Sequence, residues 1–314
     1  MKCSIVVSVY NEEMSLRQFH TVLQDVLSGN HIDNEIIFVN DGSTDQSSVI
    51  INGLASENQN IKVVEFTRNF GHEAAMIAGI DFATGDYIIC MDADLQHPPE
   101  AIPDILRQFQ SGYDIVSMVR TKNADAGFVK QLASKAFYKI LNLFSPMKFE
   151  NNSSDFFAIS REVADVLRKD YREKVRYLRG YVQSVGYNKT TLEFEAGKRV
   201  GGKSKYSFIK LLKFSVQTLC SFSDFPLKLG IYTGLVVAAC GIILMLYSIF
   251  QSIFNDTPPG YSTIIVALCF LFAVTLIVIG IIGEYISILF AEVKDRPIYL
   301  VKNTRNLQEQ EKRD

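Results

Sequence analysis

Tyr87-Ile88-Ile89-Cys90-Met91-Asp92-Ala93-Asp94 is the stretch on which the reading of this chain turns. A short apolar run ends and two carboxylates one residue apart follow at once. Such a run, bounded by turn residues, reads as a buried strand. Pro98-Pro99-Glu100 just beyond it opens a helix. Hard divalent ions such as Mg2+ or Mn2+ take oxygen ligands, usually one or two carboxylates plus phosphate oxygens. A diphosphate leaving group needs its charge neutralised as its bond breaks. Asp92 and Asp94 at a strand tip supply carboxylates for both tasks. Acids also gather at helix N-termini, so the triplet alone leaves a capping role open.

Working outward, residues 5–9, 35–40, 61–66, 87–91 and 115–119 read as short buried strands. Helical patterns near 13–28, 45–57, 72–84 and 99–111 separate them. This alternation predicts an α/β domain with a mainly parallel sheet. Ligands of such sheets bind beyond the carboxyl ends of the strands. The loops there are Tyr10-Asn11-Glu12, Asp41-Gly42-Ser43 and Asp92-Ala93-Asp94. Asp41 closes one strand, Gly42 permits a tight turn, and Ser43 or Thr44 can cap the next helix. Asp41 therefore reads either as part of a capped turn or as an acceptor for a nucleotide base.

The last third is different. Residues 229–254 and 261–283 are two uncharged apolar stretches joined by Asn255-Asp256-Thr257-Pro258-Pro259-Gly260. A span needs about 20 apolar residues, so both stretches are long enough to cross a bilayer as a hairpin. Lys203, Lys205, Lys210, Lys213 and Lys228 precede it, and Lys294, Arg296, Lys302 and Arg305 follow. The connecting loop has neither Lys nor Arg, which places both flanks in the cytosol. Between Lys198 and Lys213 stand six basic residues and no acid, followed by apolar residues at helical spacing. That segment reads as an amphipathic helix on the membrane surface, with a linker helix packed on the soluble domain as the alternative. The resulting division is a catalytic domain at 1–202, an interfacial segment at 203–226, transmembrane helices within 227–290 (about 229–254 and 261–286), and a cytosolic tail at 291–314, polar and frayed from Asn303.

Composition narrows the function. The 314 residues carry a net charge of only −2, which gives no field for gathering nucleic acid. Five scattered cysteines without a C-x-x-C pair argue for free thiols, against a disulfide framework or zinc site. Residues 197–204 fit G-x-x-x-x-G-K-[ST], but a P-loop follows a buried strand and opens a larger domain. The preceding Lys189–Glu195 is half-polar, and little chain remains before the first span. No G-x-G-x-x-G is present for a dinucleotide. The four histidines lack ligand spacing; His72 and His97 follow motif loops and line the expected cleft, while His20 and His31 suit surface or packing roles.

Val7-Ser8-Val9-Tyr10-Asn11-Glu12-Glu13, Val39 to Asp45, Thr67-Arg68-Asn69-Phe70-Gly71 and Met91 to Pro99 together resemble the family-2 glycosyltransferases of GT-A fold. Arg199 to Tyr206, the hairpin and Gly283-Glu284-Tyr285-Ile286 are similar to the polyprenyl-phosphate branch, the bactoprenol glucosyltransferases and dolichol-phosphate mannose synthase. The resemblance covers the chain to about Val301. It implies a Rossmann-like GT-A domain followed by an amphipathic helix and a two-helix transmembrane hairpin. It also implies inverting transfer of a hexose, glucose by default, from a UDP-sugar to undecaprenyl or another polyprenyl phosphate. N-acetylglucosamine, galactose, mannose and aminoarabinose stay open as the sugar.

By the same resemblance, Tyr10, Asn11, Glu12, Asp41, Asp92, Gln96 and Lys203 would bind the nucleotide-sugar. Asp92 and Asp94 would hold Mg2+ or Mn2+, and Asp94 and Asp155 would be catalytic. Arg120, Lys130, Ser134 and Lys205 would meet the acceptor phosphate. The family usually carries Arg two residues after the catalytic aspartate; here that residue is Phe157, with Arg161 as a substitute to test. A lipid monophosphate has a second pKa near 6 and is already largely ionised at neutral pH. Asp155 is therefore expected to position the sugar or acceptor as much as to take a proton; a helix cap or surface position is its bland alternative. The implied setting is the inner or plasma membrane, with the catalytic domain and both termini cytosolic. Implied partners are a homo-oligomer such as a tetramer, a separate flippase and a periplasmic transferase. A processive polysaccharide synthase would need Q-x-x-R-W, and this chain has no Trp. A non-catalytic membrane scaffold is the rival from another class, opposed by Asp41, Asp92, Asp94 and Asp155 together.

Overall fold

The computed structural model describes residues 1–121, 153–174, 176–197, 225–254 and 260–307. Contacts divide the described chain into two units. The first comprises 1–121, 153–174, 176–197 and 296–307; the second comprises 225–254 and 260–295.

The first unit alternates as its periodicity predicts. β1 (Lys2–Val9), α1 (Leu16–Gly29), β2 (Asp33–Asn40), α2 (Ser47–Glu57), β3 (Ile61–Phe66), α3 (His72–Phe82) and β4 (Tyr87–Asp92) come first. A short 3-10 turn at Pro99–Ala101, α4 (Ile102–Gln110) and β5 (Ile115–Arg120) follow. After the undescribed stretch come β6 (Ser153–Ser160), α5 (Arg161–Asp170), α6 (Leu178–Ser184) and β7 (Lys189–Phe194). The sheet order is β7-β5-β6-β4-β1-β2-β3, closed at its far edge by β8 (Val301–Arg305). β1 pairs in parallel with β2 and β4, β2 with β3, and β5 with β7; β6 runs antiparallel to β4 and β5, and β8 to β3. The sheet is thus mixed and mainly parallel, as expected.

Strand alternation sends side chains to two faces. Ile5, Val7 and Val9 join Phe38, Met91 and Phe156 in one core, covered by α1 and α4. α1 contributes Leu16, Phe19, Leu23 and Leu27 at helical spacing, and α4 contributes Ile102, Ile105 and Phe109. On the opposite face α3 is buried along nearly its whole length. It lies so close that a Cβ at Gly79 would stand 2.1 Å from Val6 Cγ1. Chain order runs outward from β1 to β3 and then returns to β4 on the other side of β1. The carboxyl ends of β1 and β4 therefore flank the switch point where open α/β sheets bind ligands.

The C-terminal segment departs from the expected frayed tail. β8 adds to the open edge of β3, and Tyr299 stacks on Phe66 with centroids 5.1 Å apart while its hydroxyl donates to Asp81. Asn306, at φ 58°, donates its side-chain amide to the carbonyls of Ala55 (2.6 Å) and Ile61 (2.8 Å). Polarity marked this stretch as exposed, but an unpaired strand edge is itself a demand for backbone partners. Replacing Asn306 with Ala should cost about 2 kcal/mol, from the loss of part-buried hydrogen bonds and a left-handed φ. Urea unfolding of the solubilised chain checks this; an unchanged midpoint would contradict it.

In the second unit, α7 (Phe225–Phe254) and α8 (Tyr261–Val293) coincide with the two apolar stretches. Windows at Pro226–Ile243 and Phe270–Val293 have mean hydropathies of 1.7 and 2.2 and are almost wholly unburied. Both helices are long and apolar enough to cross a membrane. The helices approach closely at Gly230, where a Cβ would meet Val278 at 3.4 Å. The expected interfacial helix lies outside the described residues up to Asp224, as does the connecting loop at 255–259.

Candidate active site

Register explains why the two sets of aspartates meet. β4 and β6 pair Tyr87 with Ser160, Ile89 with Ala158 and Cys90 with Phe157. Continued by two residues, this pairing sets Asp155 across from Asp92. Asp155 is thus on a strand, not at a helix cap.

A polar chain connects these two acids. Ser8, near the end of β1, donates its hydroxyl to Asp92 Oδ1 at 3.1 Å. That commits its only proton, so His72 Nδ1, 2.9 Å from Ser8 Oγ, must be the donor to it. His72 Nε2 then faces Asp155 Oδ2 at 3.7 Å. Burial works against a charged His72, but the carboxylates of Asp92, Asp155 and Glu73 outweigh it and lift its pKa above the usual histidine value. Burial likewise opposes ionisation of Asp155, yet Arg179 first and His72 next hold its carboxyl below the usual range. Arg179 Nε lies 3.6 Å from Asp155 Oδ1.

Arg179 stands where the expected arginine on β6 is missing. Phe157 is 3 % exposed and belongs to the apolar packing of the sheet. Arg161 does not substitute for it. Its Nε donates to Gly85 O at 3.1 Å and its guanidinium also reaches Thr84 O, near the opposite end of β4.

Asp94 sits in the turn after β4 and is 7 % exposed. Its Oδ1 accepts the Gln96 amide at 3.0 Å, which fixes the turn with Leu95 at φ 63°. Asp92 Oδ2 accepts no hydrogen bond among the described residues. The donor set is oxygen, suited to a hard divalent ion. Among the described residues no group of three or more His, Cys, Asp or Glu converges on a metal position. Two carboxylates that leave most positions open fit an ion that shares its shell with a diphosphate.

His97 is wholly buried under this turn. Its Nδ1 accepts the Asp92 backbone N–H at 3.0 Å, so the ring proton resides on Nε2. Nε2–H donates to Ser154 Oγ at 2.8 Å, and Arg120 Nη2 lies 3.3 Å from the same nitrogen. The ring stacks on Phe156 at 5.1 Å. Burial holds its pKa below the usual histidine value.

The first two loops interlock. Asn11, at φ 56°, accepts the Thr44 amide on Oδ1 at 2.8 Å and donates its own amide to Ser43 Oγ. Glu12 donates its amide to Ser47 Oγ, and Tyr10 is 36 % exposed beside them. Asp41 is 2 % exposed and accepts the amides of Phe70 (2.6 Å) and Gly71 (3.0 Å), one on each carboxylate oxygen. Burial is the largest influence on it and pushes its pKa up against those two bonds. Its first task is therefore to hold the 67–71 loop, and only its remaining lone pairs can face a ligand.

Among the described residues, Asp92, Asp94 and Gln96 thus lie at or just after the end of β4, Asp155 near the start of β6 and Arg120 at the end of β5, while bonds from Asn11 and Asp41 tie together the loops after β1, β2 and β3, with Tyr10 and Glu12 beside Asn11. Lys130, Ser134, Lys203 and Lys205 lie outside the described residues. Gly197 is the last described residue before Lys203; its amide donates to Gln96 O at 3.3 Å, and a Cβ there would stand 2.3 Å from Leu95 O. Ser8 and Arg179 were missed by sequence reasoning. His72 and His97 carried a signal, since each follows a motif loop; Arg179 carried none.

Residues 4–168 match the family described as glycosyl transferase family 2, and residues 225–289 match the GtrB C-terminal hairpin. The chain is 37% identical over 305 residues to the SfII prophage-derived bactoprenol glucosyl transferase of Shigella flexneri, covering 97% of this chain and 98% of that one. A prophage bactoprenol glucosyl transferase homolog of Escherichia coli (strain K12) is 37% identical over 97% of this chain and 100% of its own. The uncharacterized glycosyltransferase YkcC of Bacillus subtilis (strain 168) is 36% identical over 97% and 94%.

Proposed function

The chain belongs to glycosyl transferase family 2 with a GtrB-type hairpin, and from that premise we propose that it transfers glucose from UDP-glucose to a polyprenyl phosphate with inversion at the anomeric carbon. The observation that carries this reading is the approach of Asp92 and Asp155 to opposite nitrogens of His72, 3.6 and 3.7 Å away, just beyond the β4–β6 ladder at the sheet's switch point. The bactoprenol glucosyl transferases that resemble the chain along nearly its whole length supply the sugar and the acceptor class.

The sugar's C1 would exchange its bond to the UDP β-phosphate oxygen for one to an oxygen of the lipid phosphate, releasing UDP. Asp92 and Asp94 would hold Mg2+ or Mn2+ against the diphosphate, and that ion, when bound, would neutralise charge on the leaving group. The nucleophile is already an anion near neutral pH. A carboxyl held below its usual range makes a weak base. Asp155 accordingly serves as a fixed negative charge beside the anomeric centre, oriented by Arg179 and His72. Arg120, Lys130, Ser134 and Lys205 would receive the lipid phosphate, and Lys203 the donor. The basic residues on both flanks of α7 and α8 favour cytosolic termini and a cytosolic catalytic domain. A lipid-linked sugar made on that side calls for a separate flippase and a periplasmic transferase, and a homo-oligomer such as a tetramer belongs to the same reading.

Gly42 offers a local check on the donor half. At φ 66°, a Cβ there would stand 2.5 Å from the Arg68 carbonyl carbon. Gly42→Ala should push the 67–71 loop from Asp41 and weaken UDP binding about tenfold, from strain of ~1.4 kcal/mol or more. Calorimetric titration with UDP reads this, and unchanged affinity would remove the 67–71 loop from the donor site.

The function itself is tested by offering the full chain in polyprenyl-phosphate vesicles a panel of nucleotide-sugars, with and without Mg2+ or Mn2+. Lipid-soluble label from UDP-glucose above the other donors is expected. Label from another sugar would change the donor, and none from any would reject the transferase reading.

A further inference from the structure

The loop after β3 is held by two sets of contacts, and the second comes from far along the chain. Asp41 takes the Phe70 and Gly71 amides, and Asn69 Nδ2 donates to Asp41 O at 3.2 Å. The other set comes from Ile298-Tyr299-Leu300, which follows α8 and leads into β8. Thr67 donates its amide to Leu300 O at 3.0 Å. The Tyr299 ring stacks on Phe66, and Phe66 meets Phe70 edge-on with centroids 5.7 Å apart. Arg176, two residues before α6, joins the two stretches directly. Its Nη1 donates to Ile298 O at 3.1 Å and its Nη2 to Phe70 O at 3.4 Å. A planar guanidinium presents its donors in a fixed fork, so one side chain sets the separation of two carbonyls. The β3–β8 ladder shifts register between Glu65 and Phe66, just where the loop begins. Beyond that point the Thr67 amide, the Tyr299 ring and Arg176 do the holding.

We infer that residues 298–300 clamp the 67–71 loop in its ligand-binding position and that Arg176 is the positioning residue that closes the clamp. The loops after β1, β2 and β3 stand at the carboxyl ends of one half of the sheet, the place where a mononucleotide binds in doubly wound sheets. Chain that follows the hairpin thereby completes the nucleotide side of the site. This rests on the proposed use of a UDP-sugar. A contact that matters only for folding would change the stability of the chain and leave the affinity of the folded protein alone, so the test reads affinity.

The full chain in detergent is titrated calorimetrically with UDP in the presence of Mg2+. Arg176→Lys keeps the positive charge and loses the fork. Tyr299→Ala takes the ring off Phe66, while Arg172 still bonds both oxygens of Asp81. Asn306→Ala loosens the same tail at the amino end of β3, where its side chain binds Ile61 O. Arg176→Lys and Tyr299→Ala should each raise the Kd for UDP about fivefold. The double variant should also lie about fivefold from wild type rather than at the roughly twenty-five-fold product, because a clamp already released cannot be released again. Asn306→Ala should leave the Kd within about twofold of wild type although it destabilises the chain. Wild-type affinity in either single variant, multiplication of the two effects, or equal weakening by Asn306→Ala would overturn the inference. If the wild-type chain did not bind UDP, the donor reading would fail first; wild-type binding with unaltered variants would fail the clamp alone.

Discussion

Asp92→Asn is expected to lower kcat/KM for lipid glucosylation about a thousandfold, ~4 kcal/mol of transition-state stabilisation. Asp94→Asn should do much the same. Neither should unfold the domain. An asparagine at 92 can still accept from Ser8, and one at 94 can still accept the Gln96 amide on its side-chain oxygen. What each loses, on the proposed function, is a negative charge that would hold the metal ion against the diphosphate. Steady-state rates over a range of Mg2+ or Mn2+ concentrations measure this, and raising the ion should recover part of the loss. If both variants kept rates near wild type at low metal, the carboxylates would be turn-formers and the donor site would lie elsewhere.

Asp155→Asn is expected to reduce kcat about a hundredfold while leaving UDP binding unchanged. Its residual rate should vary little between about pH 7 and 9, because the acceptor phosphate is largely ionised throughout. The surroundings support this expectation. Arg179 and His72 hold the Asp155 carboxyl ionised, which makes it a poor proton acceptor and a good fixed charge. Were Asp155 the obligatory base, activity would vanish at every pH with donor binding intact.

Most of the framework was legible because strand and helix periodicities rarely conflict in this chain. Asp92 and Asp94 were readable as a strand tip, and the hairpin as two uncharged runs between basic flanks. What escaped depended on contacts distant in sequence. Arg179 comes from α6, a short helix after β6, and nothing in its neighbourhood indicates that it faces Asp155. Phe157 looked like a missing charge; it is a core residue on a strand, and the charge arrives from another element. Asp41 read either as part of a capped turn or as a base acceptor, and neither reading reveals that its two oxygens secure the Phe70 and Gly71 amides. The tail looked polar enough to fray, but Asn306 binds carbonyls around α2 and β8 fills an edge that composition cannot reveal. His97 shows the same limit, since its position after Gln96 was visible while the Asp92 amide and the Ser154 hydroxyl it joins were not.

On the proposed function a lipid monophosphate attacks the sugar directly. Mass spectrometry and proton NMR of the lipid product from UDP-glucose and polyprenyl phosphate test it most directly. One glucose on a single phosphate, in the β configuration, is the product this chemistry requires. A lipid diphosphate sugar, or an α linkage, would contradict it.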